Sequence, residues 1–434
     1  MSAPPRAVEL LGPDVVLLAM ETLAAGRAAS SNAVLVLELD APIATARVAA
    51  ALTRFLPVCP WLGGRLHRPF PWGKLRWRVP RGGPTAIPVA TANAGTAGLA
   101  ALVDRELATP IDPRREPPLR VTVAADTTGG VLVLTWAHAL MDPHGAEHLV
   151  RLLAALDAAP GRVPWSAPPL LTTPRDPRTL RERGALASRG AAALRACALV
   201  PPRALASVPT ARAPARTRRR HWRFRFAARP DGEDRSRRGM PWRLAVVAAA
   251  MTELFRRRGI PVDVPFLVPV SVERRARGEH GPILGNQLAF HFARVPPPES
   301  GDPTASARAI RDGLAEAVRR DELEAMAAGM SFARLRPLRG MFRELPWARG
   351  GDVCSFHFAD TDALLPDVTR AFGAAIVGGY HVAAVPARPG AGVFFTRHGA
   401  TESLVVSAAD EVVTGEDAET IAAVVARAME WTRR

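Results

Sequence analysis

The stretch His-Ala-Leu-Met-Asp-Pro-His-Gly, which begins at His138, is the most informative part of the 434-residue sequence. A neutral imidazole can take a proton from a hydroxyl or an amine as it attacks a thioester, and an ordinary histidine pKa near 6.5 suits this task at neutral pH. Asp142, four residues later, can fold back within the turn to fix the loop or to orient the ring. The same spacing also fits a histidine at a strand end, with Asp142 capping the helix that follows.

Strands and helices alternate around this stretch in the first third of the chain. Apolar residues at every second position predict a strand, and apolar residues three or four positions apart predict a helix. His138 directly follows the second strand of a predicted hairpin, at a strand end where cavities often open. The sequence predicts strands at residues 34–39 and 75–79, helices at 42–55 and 146–156, and a hairpin of 119–125 with 131–137.

A second set of elements fills the last 200 residues. Residues 264–270 are almost continuously apolar, which indicates a strand that is buried on both faces. The whole pattern predicts an α+β or mixed α/β protein in two halves. Helices are predicted at 241–258, 304–326 and 416–431, and further strands at 288–293, near Ser355, and at 374–385, 392–396 and 403–407.

The residues between these two sets are rich in Pro, Arg and Ala. We therefore predict a first half at 1–165, a crossover at 166–240 and a second half at 241–434. Within the crossover, 186–198 predict a basic helix. The segment 221–227 predicts a strand with Trp222, Phe224 and Phe226 on one face and Arg223 and Arg225 on the other.

The charge of the chain is strongly positive, with 57 Lys and Arg residues against 41 Asp and Glu, a formal net charge of +16. Such a field attracts phosphates, acidic carrier domains and anionic membranes. Cys59, Cys197 and Cys354 lie far apart in sequence and predict neither a disulfide scaffold nor a zinc site. The start of the chain does not look like a leader, and no apolar run is long enough for a membrane span, so we expect a cytoplasmic protein.

Around His138 the chain resembles the condensation-domain-like acyltransferase superfamily. This superfamily includes bacterial wax ester synthase/diacylglycerol acyltransferases, polyketide-associated acyltransferases, peptide-synthetase condensation domains and chloramphenicol acetyltransferase. Its mark is HHxxxDG. Here the second histidine and the aspartate match as His138 and Asp142, whereas Ala137 stands for the first histidine and Pro143 for the glycine.

Further matches occur in the family's order. They are the stretch PWLGGRL at 60–66, the segment Val268-Pro-Val-Ser271, and the pair Gly285-Asn286. One departure lies in the helix at 241–258, which has Trp242-Arg243-Leu244 where wax synthase-like members carry an Asn-Asp pair. The departure weakens the likeness to lipid synthases more than the likeness to the superfamily.

The resemblance implies two chloramphenicol-acetyltransferase-like halves with a tunnel between them, in which His138 is the general base. Asp142 then pairs with Arg274 or Arg275, between which the sequence does not choose. Ser271 and Asn286 support the site, and backbone N–H groups from Asp142 to Gly145 are candidate oxyanion donors. The implied donor is an acyl-CoA or an acidic acyl carrier protein, and the acceptor is a hydroxyl or amine on a lipid alcohol or a specialised metabolite. We expect the protein to be a monomer, with no bound cofactor and no metal.

Two other functional classes compete with an acyltransferase. Ala137 and Pro143 are also consistent with a catalytically degenerate relative that binds a partner. In the run TRRRHWRFRF, aromatic residues that alternate with arginines could stack against nucleic-acid bases. A strand with one buried face explains this alternation as well. We therefore predict no nucleic-acid partner. The basic residues 181–203 allow contact with a membrane surface.

Overall fold

The computed structural model describes residues 6–24, 31–93, 98–126, 129–160, 178–199, 202–205, 219–227, 239–274, 282–298, 302–338, 354–386, 388–409 and 412–434. Arg275 and the basic run at 216–218 lie outside this part of the chain. The described α-helices are α1 Gly12–Ala24, α2 Thr45–Phe55, α3 Gly98–Ala108, α4 Pro143–Ala158, α5 Leu180–Leu199, α6 Met240–Arg257, α7 Thr304–Arg319, α8 Glu322–Ala333 and α9 Gly415–Met429.

The described strands are β1 Ala7–Glu9, β2 Asn32–Leu39, β3 Arg65–His67, β4 Arg76–Arg78, β5 Val89–Asn93, β6 Leu119–Asp126, β7 Gly129–Ala137, β8 Arg219–Ala227, β9 Phe266–Glu273, β10 Leu288–Val295, β11 His357–Ala363, β12 Arg370–Ala371, β13 Ala374–Ala383, β14 Ala391–His398, β15 Thr401–Ala409 and β16 Thr432–Arg433. Most lie where the period of apolar residues predicts them. The mixed α/β class is therefore confirmed.

The first large sheet has the strand order β12-β13-β2-β7-β6-β5. The predicted hairpin of β6 and β7 is present and antiparallel, and β2 pairs antiparallel with β7. Both β2 and β7 are buried along nearly their whole length, as expected for central strands. This sheet carries His138 at the end of β7.

The second large sheet has the strand order β11-β14-β15-β8-β16. Strand β8 shows the predicted alternation, because Phe224 and Phe226 are buried whereas Arg225 is exposed. The alternation is therefore that of a strand with one face in the core. The antiparallel pair of β9 and β10 forms a separate small sheet, and β1, β4 and β3 form another.

Each large sheet includes a strand from the other side of a predicted sequence boundary, at 165 or at 240. Strand β13, from the last third of the chain, pairs with β2 of the first sheet, and β8, from the predicted crossover, pairs with β15 of the second. Apolar side chains of β2, β13, β14 and β15 share one buried cluster. The His221 imidazole lies 3.2 Å from the Tyr380 hydroxyl between the sheets. The two halves therefore pack as one structure.

Two predicted elements differ from the structure. The sequence predicts one helix over 304–326, but Asp321 adopts a left-handed backbone (φ 54°) that ends α7 and begins α8. The strand predicted near Ser355 begins only at His357. Helices α1 and α3 were not predicted.

Candidate active site

The loop of residues 138–142 connects β7 to α4 and presents His138. Asp142 is the N-cap of α4, and its Oδ1 accepts a hydrogen bond of 2.7 Å from the Gly145 N–H. Pro143 occupies the first helical position, where the missing N–H would have no intrahelical partner and where a fixed φ suits the helix. Proline in place of the family's glycine therefore fits this helix start.

Three consecutive residues of the second half hold this loop from the other side. The Gly285 N–H donates to the Leu140 carbonyl (2.8 Å), Asn286 Nδ2 donates to the His138 carbonyl (2.9 Å), and the Gln287 N–H donates to Asp142 Oδ2 (2.8 Å). Gly285 has a φ of +81°, a region that favours glycine. The Gly-Asn pair of the sequence thus fixes the backbone of the histidine loop.

Asp14 on α1 completes this support and was missed from the sequence. Its Oδ1 accepts from both the backbone N–H and the side-chain Nδ2 of Asn286, each at 2.7 Å. Burial raises the pKa of the Asp14 carboxyl to about 7, against the lowering effect of these Asn286 hydrogen bonds. No local pattern marks Asp14, since its partner lies 272 residues away.

Gly145 lies where α4 meets the segment before Gly285, and its N–H is capped by Asp142. Its N–H is committed to Asp142, and a Cβ at this position would lie 2.3 Å from the Ile283 carbonyl oxygen. The glycine therefore permits close approach of α4 to the segment before Gly285.

Arg274 is one of the two arginines that the resemblance pairs with Asp142. Its guanidinium forms an ion pair of 2.8 Å with Glu324 of α8. Both Asp142 oxygens accept from backbone N–H groups, those of Gly145 and Gln287. The pairing of Asp142 with an arginine stays a prediction, and Arg275, the other candidate, lies outside the described residues.

The His138 side chain forms part of the wall of two adjoining cavities. The first, which we name the apolar cavity, has a volume of about 190 Å³, and the second, the polar cavity, has a volume of about 170 Å³. Ser271 and Leu288 line both cavities as well, and Asn286 lines the apolar one. Ala137 lines neither, since it is a buried strand residue.

Both cavities are lined mainly by apolar residues, but the second contains more ionisable side chains. The apolar cavity is walled by Leu17, Met20, Phe290, Phe292, Phe358 and Phe394. The polar cavity is lined by Asp142, His144, Glu273, Asp360 and His381. His381 Nε2 lies 2.9 Å from Glu147 Oε1, which holds this imidazole on the cavity wall.

A third and larger space, the cationic pocket, has a volume of about 800 Å³ and meets the apolar cavity at Asn286 and Leu288. Its charged lining residues are Lys74, Arg178, Arg183, Arg274 and Arg334, with Glu9 and Glu324. These five cations outnumber the two carboxylates. Arg183 Nε has no hydrogen-bond partner among the described residues.

Burial sets the protonation of His138. It lowers the pKa of the imidazole below the ordinary value near 6.5, against the opposing effect of the Asp142 charge. The ring is therefore neutral at pH 7 and can accept a proton. Its Nδ1 makes no hydrogen bond to another described residue.

Arg243, in the helix that departs from the wax synthase-like pattern, is buried near the polar cavity. It pairs with Asp360 at 2.8 Å and with Glu402 at 2.9 Å. This ion-pair network connects α6 to β11 and β15, so the departure has a structural role.

The described residues contain no cluster of three or more His, Cys, Asp or Glu side chains arranged to hold a metal ion. Among the described helices, none is both long and apolar enough to cross a membrane.

Comparison of the sequence with family models and with curated proteins gives no match. Comparison of the structure gives matches over nearly the whole chain. The first condensation domain of the calcium-dependent antibiotic (CDA) synthetase is 16% identical, with 99% of each chain covered and a TM-score of 0.68. The starter condensation domain of rhizomide synthetase RzmA, as a mutant in complex with C8-CoA and Leu-SNAC, is 15% identical, with 98% of this chain and 93% of that chain covered and a TM-score of 0.67. The chain therefore has the fold of condensation domains, two chloramphenicol-acetyltransferase-like halves.

Proposed function

We propose that this protein is an acyltransferase that moves an acyl group from a phosphopantetheine thioester to a hydroxyl or amine acceptor. The observation that supports this most is the position of His138, a neutral imidazole that lines two cavities at once. Each cavity can hold one of the two substrates, so that the thioester and the nucleophile meet at the histidine.

In the proposed reaction His138 acts as general base and then as general acid. The acceptor oxygen or nitrogen bonds to the thioester carbon, the carbonyl electron pair moves to oxygen, and the acceptor proton passes to the imidazole. The oxyanion pair then re-forms the C=O bond as the C–S bond breaks and its electron pair leaves with sulfur, and the imidazolium returns the proton to the thiolate. Ser271, which lines both cavities, is a candidate for substrate contact.

The donor is proposed to enter through the cationic pocket. Coenzyme A carries phosphates and carrier proteins are usually acidic, so five cations beside two carboxylates suit either donor. The apolar cavity beyond it suits the acyl chain. The RzmA condensation domain, which shares this fold, has been crystallised with C8-CoA.

The acceptor is proposed to occupy the polar cavity. Its carboxylates and imidazoles can hydrogen-bond the hydroxyl or amine of the acceptor, and its apolar wall, which includes Trp136, Met240 and Val270, can contact the rest of the molecule. A lipid alcohol and a specialised metabolite both fit this lining. The other candidate, a catalytically degenerate relative, is less favoured. Pro143 fits the start of α4, and Ala137 lies outside both cavities. The lowered pKa of His138 keeps its imidazole neutral at pH 7, the form that can accept a proton.

Release of free thiol, followed by mass spectrometry, tests the donor. We expect acyl-CoA or an acyl carrier protein to react with a lower KM than the acyl-N-acetylcysteamine, which lacks phosphate. We expect Arg183→Ala to raise the KM for acyl-CoA about fivefold, the effect of losing one partly exposed ionic contact, and salt to raise it in the wild type. Arg311→Ala, which removes an exposed charge on α7, is the matched control. No cleavage of any donor with any acceptor would contradict the function.

The pH dependence of kcat/KM tests the base. Because burial lowers the pKa of His138, we expect the acid limb of the profile to fall at a pH below 6.5, with activity lost only as the pH drops through the lowered pKa. The profile should also be measured in Asp14→Asn, which removes the carboxyl with a pKa of about 7. An acid limb at or above pH 6.5 in both proteins would count against His138 as the base.

A further inference from the structure

The proposed reaction needs a hydrogen-bond donor for the oxygen that becomes negative, and the start of α4 does not supply one at positions 143, 145 and 146. The Gly145 N–H is committed to Asp142, the Ala146 N–H to the Asp142 carbonyl, and Pro143 has no N–H. A donor aimed at the developing charge is commonly the largest single catalytic contribution. The apolar cavity is therefore where another donor should be sought.

That cavity contains a second histidine, His357, the first residue of β11. Its backbone is fixed by the parallel pairing of β11 with β14, in which His357 lies opposite Gly392. Its Nε2 lies 4.0 Å from Cys354 Sγ, a weak hydrogen-bond contact in which the thiol can be the donor. With the thiol as donor, Nε2 is the acceptor, so the neutral ring carries its proton on Nδ1, where it can donate to another acceptor.

His357 and His138 are close enough to influence each other. Burial, together with the charge on His138, lowers the pKa of His357 to about 4. His357 thus stays neutral when His138 takes up a proton. A pKa of about 4 makes His357 a weak base, and its neutral imidazole keeps one N–H with which to polarise a carbonyl.

We propose that His357 is a catalytic residue of this site, whose neutral imidazole donates a hydrogen bond to the thioester oxygen in the apolar cavity while His138 removes the acceptor proton. His357 keeps its own proton throughout. The proposal rests on the proposed function, because it assigns a role within that reaction.

Single-turnover and steady-state kinetics of three variants test this role. We expect His357→Ala to lower kcat about 10²–10³-fold, the loss found when one oxyanion donor is removed, with little change in donor KM. His357→Gln, which restores an N–H group of similar reach, should recover at least about tenfold of that loss. His357→Phe, which fills the space without a donor, should be as slow as His357→Ala. All three should keep the acid limb that His138 sets.

Thermal unfolding of each variant separates a catalytic role from a structural one. Equal rates in wild type and His357→Ala would overturn the proposal, and so would loss of rate in proportion to loss of folded protein. A Gln variant no faster than the Phe variant would also overturn it. If wild type cleaves no thioester, the proposed function itself fails. If wild type is active and His138→Ala is not, only the role of His357 is at stake.

Discussion

Replacing His138 by alanine is expected to lower kcat for thioester transfer by about 10²–10⁴-fold, the contribution of a positioned general base. The imidazole lies on the wall that the two cavities share, and burial keeps it neutral at pH 7. Among the described residues, no other residue with an ionisable side chain near neutral pH lines both cavities. The loss should appear in kcat, because the cavities that bind the substrates remain.

The matched control is His67→Ala, a histidine on β3 that lines neither cavity. Its rates should equal those of the wild type. Thermal unfolding should show that His138→Ala stays folded, since its backbone contacts to Ser31 and Asn286 do not involve the ring. A His138→Ala protein within threefold of the wild-type rate would refute the general-base role.

Replacing Asp142 by alanine is expected to destabilise the protein by about 3–5 kcal/mol. The carboxylate is 2% exposed and accepts two backbone N–H groups, from Gly145 in the first half and from Gln287 in the second. Each hydrogen bond to a charged group contributes about 1.5–3 kcal/mol, and the donors left behind are buried without partners. Urea unfolding followed by circular dichroism measures the loss.

Thr414→Ala is the matched control, because Thr414 caps α9 through a capping box but joins only residues of its own helix. Its loss should be about 1 kcal/mol, the usual cost of a helix cap. Asp142→Asn, which keeps one acceptor oxygen, should fall between the two. Equal losses in Asp142→Ala and Thr414→Ala would show that the contact with Gln287 contributes nothing to stability. The rate of Asp142→Ala should also fall, since the histidine loop loses one of its supports.

Most of the architecture follows from local patterns. The hairpin of β6 and β7, the buried strand β9 and the one-sided strand β8 each show in sequence the period that their burial requires. One difference has a local physical cause, because the left-handed backbone of Asp321 divides one helical pattern into two. Helices α1 and α3 are not predicted from the sequence. Strand order was beyond such patterns, because β13 joins the first sheet from the last third of the chain.

The sequence by itself determined the candidate base and the local structure around it. His138 at a strand end, Asp142 four residues later and the distant Gly-Asn pair were all visible in one dimension, because a strand, a turn and a helix cap are local structures. Their positions in the structure agree with the expected neighbourhood, although the role of each residue stays a proposal.

Only the tertiary structure decided what surrounds that histidine. It placed Asp14 beneath Asn286, committed the Gly145 N–H to Asp142, gave Arg274 to Glu324, and brought His357 to the cavity of His138. These contacts join residues up to 272 positions apart. Burial and pKa depend on which distant segments exclude water from a site, and a linear pattern carries that information only for residues in the same element.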